Sequence, residues 1–345
     1  MAINKIFKTF DTADIVSSLT TEITNGLWSG DTGSLSSVYT SSAQSNISGE
    51  YYLDVYNKSI SDTSAEVQFS VAYAHISGGG SPSLANLNTS TLPTQANYSQ
   101  YKNILLPTTT TKFQFGPTGN TVASDDIYVI NIQRSRLRQT LDPGNWQLSL
   151  SGSKGIYTFI DDSGLSTAVV GNTLLGTVYN VRSGSITAGV VGSEYYGLVF
   201  PDAGVIIMQP SASCALVGIP FPYTGSATGT FNTSYWSQHA DLYRSISSSM
   251  AKGYSFVARS AENIASSHYF VRLRNDEFNY SNNPTYYSGS TGQINQDSFR
   301  YKPTTYATTI GLYNNTNELL AVAKLSKPLQ KSTDREALIR VRLDY

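Results

Sequence analysis

The chain has 345 residues, a formal net charge of −1 at pH 7, and charged side chains at only 14% of its positions. That length allows two or three domains with hydrophobic cores, and the lack of a basic excess excludes a surface that tracks nucleic-acid phosphates. The chain also contains 27 glycines and 24 tyrosines, with abundant Ser, Thr and Asn, a usage typical of strands joined by short turns. We therefore predict a mainly β protein of antiparallel, sandwich-like domains with one or two short helices.

No apolar run approaches the roughly 18 residues that a membrane-spanning helix needs. Residues 1–10 contain lysines and phenylalanines but no apolar stretch before a small-residue cleavage site, so we expect no signal peptide. The expectation is a soluble protein made in the cytoplasm, without membrane insertion and without a nucleic-acid partner.

Residues 1–120 are predicted to form an N-terminal β domain with long exposed loops. Its clearest strands are residues 51–56 and 67–74, and the second alternates strictly between two faces. The glycines at 78–80 are not followed by the Lys-Ser/Thr of a nucleotide-binding loop, so we interpret them as a flexible loop. Residues 81–107 are polar, proline-spaced and longer than a usual connection. We expect them to form an exposed excursion that reaches a neighbouring protein.

Residues 121–230 are predicted to form a middle β-sandwich-like domain, because short apolar runs recur there with Gly or Pro between them. Arg134, Arg136 and Arg138 alternate at strand spacing, which would put three guanidinium groups on one face. Two interpretations remain open. The arginines belong either to a solvated edge strand whose charges deter unwanted pairing, or to a surface that binds an acidic protein partner.

The residue types that carry chemistry do not combine into a recognisable site. We interpret the adjacent acids at 125–126 and 161–162 as turn residues, since neighbouring strand side chains point to opposite faces. The single cysteine, Cys214, lies in an apolar run and is interpreted as a core residue. The three histidines are far apart in the sequence. We expect no enzyme activity, no metal site and no cofactor.

Residues 231–345 are predicted to form a C-terminal domain with a short helix and a closing β-hairpin. Apolar side chains at four-residue steps predict a helix over 240–250, and a second short helix is expected over 258–265. Residues 308–313 and 319–325 flank four turn-forming residues, which is the pattern of a hairpin.

Lys327 and Pro328 are expected to end the second strand of that hairpin, because proline cannot donate to a ladder. A return strand then runs to Tyr345. Its apolar side chains alternate with Arg340 and Arg342, so apolar groups face one side and charged groups the other.

Five segments of the chain carry a combination of short motifs. They are DEFNYSNNP at 276–284, IGLYN at 310–314, LAVAKLSKP at 320–328, LDPGNW at 141–146 and GLVFPDAGVII at 197–207. Together they resemble a virion structural protein family of large contractile-tailed bacteriophages, including those of cyanobacteria. The resemblance implies a structural place in the virion tail, in the baseplate, with other tail or baseplate proteins and copies of the chain as partners. It supplies no catalytic residues.

The contacts that such a place requires are predicted on the 278–284 segment, on the charged loop at 324–336 and on the last strand. The predicted interface residues there are Phe278, Asn279, Tyr280, Asn282, Pro284, Lys324, Lys327, Pro328, Arg340 and Arg342. An equally open interpretation is that the side chains of the 278–284 segment cap the hairpin core. The alternative function is a receptor- or glycan-binding module of a phage tail or fibre, in which tyrosine pairs at 195–196 and 286–287 stack on sugars.

Overall fold

The computed structural model describes residues 7–40, 52–78, 93–117, 120–165, 169–173, 176–219 and 238–345. The chain forms two compact units. One consists of Met1–Thr21 with Asn263–Tyr345, and we call it the C-terminal unit; the other, Glu22–Glu262, we call the sheet unit. These bounds differ from the predicted three-domain division. Strand pairing crosses the predicted boundary at 120, and the predicted boundary at 230 lies outside the described residues.

The strands of the described residues are β1 (Ile15–Gly26), β2 (Ser34–Leu35), β3 (Tyr39–Thr40), β4 (Tyr52–Tyr56), β5 (Val67–His75), β6 (Phe113–Phe115), β7 (Val122–Ser124), β8 (Asp126–Ile132), β9 (Thr140–Leu141), β10 (Leu148–Gly152), β11 (Gly155–Asp161), β12 (Val169–Thr173), β13 (Gly176–Ser185), β14 (Gly189–Val190), β15 (Gly197–Phe200), β16 (Val205–Met208), β17 (Phe256–Val257), β18 (Arg259–Leu273), β19 (Thr304–Tyr313), β20 (Leu319–Ser332) and β21 (Ala337–Asp344). The α-helices are α1 (Pro93–Leu105), α2 (Pro210–Val217), α3 (Gln238–Ala251) and α4 (Asp297–Tyr301). The mainly β, antiparallel, sandwich-like prediction is confirmed, with four described helices instead of one or two.

A large antiparallel sheet organises the sheet unit. Its strands follow the order β10-β11-β13-β15-β16-β8-β5-β4-β3, and β12 and β14 also pair with β13. The central pair is β5 with β8, in register from Phe69 opposite Ile132 to His75 opposite Asp126. Both faces of the sheet are buried. Helices α2 and α3 pack on one face, and α1 packs on the other with the β6–β7 hairpin.

Burial on both faces explains why the central strands are apolar at almost every position. In β8, Tyr128 and Ile130 belong to the core beneath α2 and α3. Ile127 and Val129 belong to the core on the opposite side. The alternation predicted for residues 67–74 is confirmed, since Phe69 of β5 points to the first of these cores and Ala72 to the second.

Helix α1 occupies part of the predicted exposed excursion. Tyr98 of α1 is buried, and its hydroxyl donates to Ser124 O at 2.8 Å and accepts from Phe113 N at 3.1 Å. The excursion is therefore wrong for residues 93–105, while residues 81–92 lie outside the described residues. By composition alone, a polar helix that is held by one buried tyrosine cannot be distinguished from an exposed loop.

Two helix predictions in the chain have opposite outcomes. The helix over 240–250 is confirmed as α3, whose Leu242 and Ile246 are fully buried. The helix over 258–265 is wrong, because residues 259–273 form β18. Ser260 and Ala261 pair there with β9, so tertiary pairing overrides the weak helical spacing of a short segment.

The C-terminal unit is built from two β layers. Residues 266–273 of β18 pair with β21, and β19 pairs with β20 in a long hairpin. Val271, Leu273 and Ile339 of the first layer form a small core with Ile310, Leu325 and Leu329 of the hairpin. The predicted hairpin and return strand are both confirmed.

Lys327 and Pro328 do not end the second strand of the hairpin, and that prediction is wrong. Strand β20 continues to Ser332. Its register against β19 shifts between Ala307 and Thr309, and residues 325–328 lie in this irregular stretch. A proline that lacks an N–H group is tolerated where a ladder is already interrupted.

A close approach between β10 and the end of α2 generates a test of the fold. A Cβ atom at Gly152 would lie 2.5 Å from Val217 O, so we expect Gly152→Ala to force the two backbones apart. The expected loss is about 1–3 kcal/mol of unfolding free energy, measured by urea denaturation. Gly164→Ala is the control, because a Cβ atom there meets nothing within 4 Å. Equal stability of the two variants would contradict this packing.

Candidate functional site

The hairpin is tied to the preceding loop by a buried lysine. Lys331 is 1% exposed, and its ammonium group donates to Asn275 O at 3.0 Å, Asn279 Oδ1 at 2.9 Å and Ser332 O at 2.9 Å. These three acceptors use the three donors of the group. Burying an ammonium ion costs several kcal/mol unless such partners replace water. Lys331 therefore fixes the loop at 275–279 against β20.

The loop at 275–279 is constrained at several further points. Phe278 has a φ of 55°, in the left-handed region that phenylalanine rarely adopts. Its carbonyl accepts from Thr305 Oγ1 at 2.7 Å, and its side chain packs against the core between the two β layers. Asn279 Nδ2 donates to Asn275 O at 2.7 Å. Strain of this kind persists where the surroundings over-determine the backbone, so Phe278 and Asn279 help to hold the loop in place against the hairpin.

A cluster of aromatic rings follows directly. Tyr280 contacts Tyr286 edge to face at 5.5 Å and Tyr287 at 5.8 Å, and Tyr286 stacks on Phe299 at 5.5 Å. Tyr286 is buried, and this burial raises its pKa. Tyr280 is 49% exposed, so it presents the edge of the cluster to solvent.

The remaining predicted residues of this segment are Asn282 and Pro284, and both are exposed. Between them, Asn283 Oδ1 accepts from Thr285 N at 3.1 Å and from Thr285 Oγ1 at 3.0 Å, which holds a local turn. The exposed residues of the 278–284 segment are therefore Tyr280, Asn282, Asn283 and Pro284.

The outer face of the hairpin carries a contiguous apolar surface, which we call the outer hairpin patch. It consists of Phe7, Tyr313, Leu319, Leu320 and Val322, each between 45% and 69% exposed. The Phe7 and Tyr313 rings meet edge to face at 5.3 Å.

Tyr313 and Leu319 also cover the backbone of Gly311. A Cβ atom there would lie 2.9 Å from Tyr313 Cε2 and 3.1 Å from Leu319 Cδ1. Single exposed apolar side chains are ordinary, but a contiguous group of them marks an interaction surface.

The predicted basic residues of the C-terminal unit do not form one patch. Lys324 pairs with Thr309 on the outer face of the hairpin, whereas Arg340 lies on β21 between the buried Ile339 and Val341. Because adjacent strand residues point to opposite faces, the two cations lie on opposite sides of the two-layer structure. Lys324, Lys327 and Arg340 make no ion pair with any described residue.

Arg342, by contrast, is engaged within its own unit. Its Nε lies 2.6 Å from Asp344 Oδ1, and its Nη2 donates to Ser266 Oγ at 3.2 Å. The Ser266 hydroxyl, with Arg342 beside it, lowers the pKa of Asp344. Pro328 is exposed in the irregular part of β20.

The three arginines of the sheet unit do not share a strand face, so that prediction is wrong. Strand β8 ends at Ile132, and Arg134–Arg136 form a 3-10 helix. Arg134 donates to Gln139 O at 3.3 Å and to Asp202 O at 3.5 Å. Arg136 pairs with Glu66, and Arg138 Nη1 lies 3.7 Å from Glu262 Oε2.

A shallow cleft of about 270 Å³ lies beside Arg136 and Arg138, lined also by Trp28 and Asp31. The Ser29 hydroxyl, followed by Arg136, lowers the pKa of Glu66, the carboxylate that pairs with Arg136. These arginines are therefore engaged with partners inside the sheet unit.

The carboxylate of Asp161 holds turns, and that of Asp162 bonds to strand β13. Asp161 accepts from Gly144 N at 2.9 Å and Ser163 N at 3.0 Å. Asp162 accepts from both the backbone and the side-chain amide of Asn180. Amide donors therefore occupy both carboxylates, and Asp161 alone has the turn role that was predicted for the pair.

Burial shifts the pKa values of Cys214 and His239. Cys214 lies on α2 and is buried in the core beneath that helix, which raises the pKa of its thiol to about 12. Burial lowers the pKa of His239 to about 4. Within the part of the chain that the structure describes, no three His, Cys, Asp or Glu side chains form a group able to hold a metal ion.

Among the described helices, none combines the length and apolar character that a membrane crossing requires. Comparison of the chain with models of protein families, with curated proteins and with solved structures finds no match.

The anchoring role of Lys331 could not be predicted from residue spacing, because it is one lysine in a polar stretch. The structure shows that it anchors the loop, so we expect Lys331→Met to leave Asn279 Oδ1 without its donor and to release the loop from β20. Asn275 O and Ser332 O keep other donors, Asn279 Nδ2 and Arg335 N. The expected cost is about 1–3 kcal/mol, with faster hydrogen exchange at amides 275–280. Lys327→Met is the control, because Lys327 is exposed and should change stability by less than about 0.5 kcal/mol. Unchanged exchange in Lys331→Met would contradict the anchoring role.

Proposed function

We propose that this protein is a structural component of a contractile-tailed phage virion, in the tail or baseplate. It acts through protein–protein assembly contacts with other virion proteins and with copies of itself. The observation that carries the proposal is the outer hairpin patch, an apolar surface on a braced two-layer unit. The resemblance of the 276–284, 310–314 and 320–328 segments to a phage virion family supports the same conclusion, because these segments include Tyr280 of the aromatic cluster and Tyr313, Leu320 and Val322 of the patch.

The physical mechanism needs no turnover. Each subunit presents at least two surfaces on one unit, the outer hairpin patch and the exposed edge of the aromatic cluster at Tyr280. A symmetric assembly repeats these surfaces, and modest contacts then add through effective concentration. Rigid presentation matters because less conformational entropy is lost when such a surface binds.

A receptor- or glycan-binding role is the second candidate, and one observation favours it. Tyr280 is half-exposed and Tyr301 is 92% exposed, so aromatic faces are accessible in the C-terminal unit. In each of the tyrosine pairs predicted to stack on sugars, one of the two rings is buried. Tyr286 is buried, and Tyr196 is buried against Phe159 at 5.3 Å. A location at a fibre tip, with glycan binding by the purified chain, would favour this role over assembly.

Substitution of Tyr280 tests the assembly function. We expect Tyr280→Ala to keep the melting temperature of the wild-type protein and to enter particles several-fold less efficiently, because an exposed aromatic contact is lost. Quantitative mass spectrometry of purified particles measures incorporation. Tyr254→Ala is the matched control, since Tyr254 is similarly exposed at 43% but lies in the sheet unit.

Phe278→Ala should behave differently, losing about 2 kcal/mol of stability because its ring packs in the core between the layers. Wild-type incorporation of Tyr280→Ala, or absence of the wild-type chain from particles, would contradict the proposed function.

A further inference from the structure

Strand β20 has a free edge along an apolar run. It pairs with β19 from Ser332 opposite Thr304 to Leu319 opposite Tyr313, and the register shifts twice, between Ala307 and Thr309 and between Leu312 and Tyr313. Within the described residues, no second strand pairs with it. Residues 319–323 of this strand read LLAVA, without charge and without proline. An exposed apolar edge of this kind is a template for pairing with another chain.

The residues that flank the run have opposite charges. Glu318 immediately precedes it and Lys324 immediately follows it. Glu318 accepts hydrogen bonds from Asn314 Nδ2 and Thr316 Oγ1, and no described side chain forms an ion pair with either Glu318 or Lys324.

Because the charges differ at the two ends, the run is complementary to itself in one direction only. Antiparallel apposition of two copies puts Lys324 of each beside Glu318 of the other, whereas parallel apposition puts like charges together.

We propose that β20 pairs antiparallel with β20 of a second copy of this chain, about a two-fold axis at Ala321. The two hairpins then form one four-stranded sheet. Leu320 of each copy lies opposite Val322 of the other, and Ala321 lies opposite its own counterpart.

Two-fold pairing repeats every contact, so the dimer contains two Lys324–Glu318 pairs. The backbone ladder and the apolar side chains provide affinity, and the charges select the partner and its direction.

This pairing specifies one contact of the proposed assembly function, and its biological role rests on that proposal. The outer hairpin patches of the two copies come to lie on one side of the four-stranded sheet, because side chains keep their face across a ladder. The resulting surface is about twice as wide as that of one subunit. A second copy thus covers the edge of β20, while the joined patches remain open to other proteins.

A charge-reversal cycle tests the pairing in the full-length chain by sedimentation equilibrium. Wild-type protein is expected to dimerise. Glu318→Lys and Lys324→Glu should each weaken the dimer about tenfold or more, since each creates two like-charge pairs. The double variant should recover most of the wild-type affinity, because the attraction is restored with its signs exchanged. Lys327→Glu is the control for a change of charge outside the apposed segment, and it should dimerise as the wild type does.

A monomeric wild type would overturn the proposal. A dimer whose affinity is unchanged by either single charge reversal would also overturn it, and so would a double variant that dimerises as weakly as the single variants.

Cysteine cross-linking provides a second measurement that does not depend on the charges. Ala321→Cys should form a disulfide-linked dimer on oxidation, because directly opposed residues have Cα atoms about 4.5–5.5 Å apart. Ala323→Cys should not, because its counterpart is displaced by four residues, roughly 13 Å along the strand. The native Cys214 is 2% exposed and stays out of the reaction. No cross-link at Ala321→Cys, or equal cross-linking of both variants, would refute this register.

These results separate the pairing from the proposed function. If the chain is monomeric but still enters particles, only the β20 pairing is refuted. If it is dimeric but never enters particles, the pairing stands and the virion function is refuted.

Discussion

The ammonium group of Lys331 is the contact on which the candidate surface depends. It is buried, and it holds two backbone carbonyls and one side-chain amide oxygen. One of these acceptors belongs to its own strand, and the other two belong to the loop that leads to Tyr280. A buried charge with all of its donors used tolerates few alternative arrangements. The position of Tyr280 relative to the hairpin is therefore set by a polar contact beneath the surface.

The second constraint is that an isolated two-stranded hairpin is only marginally stable in water. Here one face of the β19–β20 hairpin packs Ile310, Leu325 and Leu329 against the β18–β21 layer. The opposite face keeps Tyr313, Leu320 and Val322 exposed. Burial of one face thus makes the other rigid, and the exposed face loses less conformational entropy when it binds a partner. Stability and interaction surface come from the same hairpin.

The sequence revealed those features that local pattern determines. Helix α3 and the closing hairpin were predictable because their periodicity and turn residues agree with their final packing. The prediction that Arg134, Arg136 and Arg138 share a strand face was wrong, because an i, i+2 spacing is compatible with a strand and with a 3-10 turn. Only the end of β8 decides between them.

Other errors in the prediction have tertiary causes. The segment at 258–265 is strand because β9 pairs with Ser260 and Ala261 of β18. Lys331 and the left-handed Phe278 were not predictable as anchors, because their roles depend on groups brought together from distant parts of the chain. The separation of Lys324 from Arg340 has the same origin, since it follows from the packing of one layer on the other.

The most direct measurement is a reconstruction of a whole phage particle at a resolution that traces side chains. If this protein is an assembly component that works through its C-terminal unit, the chain lies in the tail or baseplate, and other polypeptide covers Tyr313, Leu320 and Val322. A particle in which these side chains face solvent in every copy, or a particle that lacks the chain altogether, would contradict that conclusion.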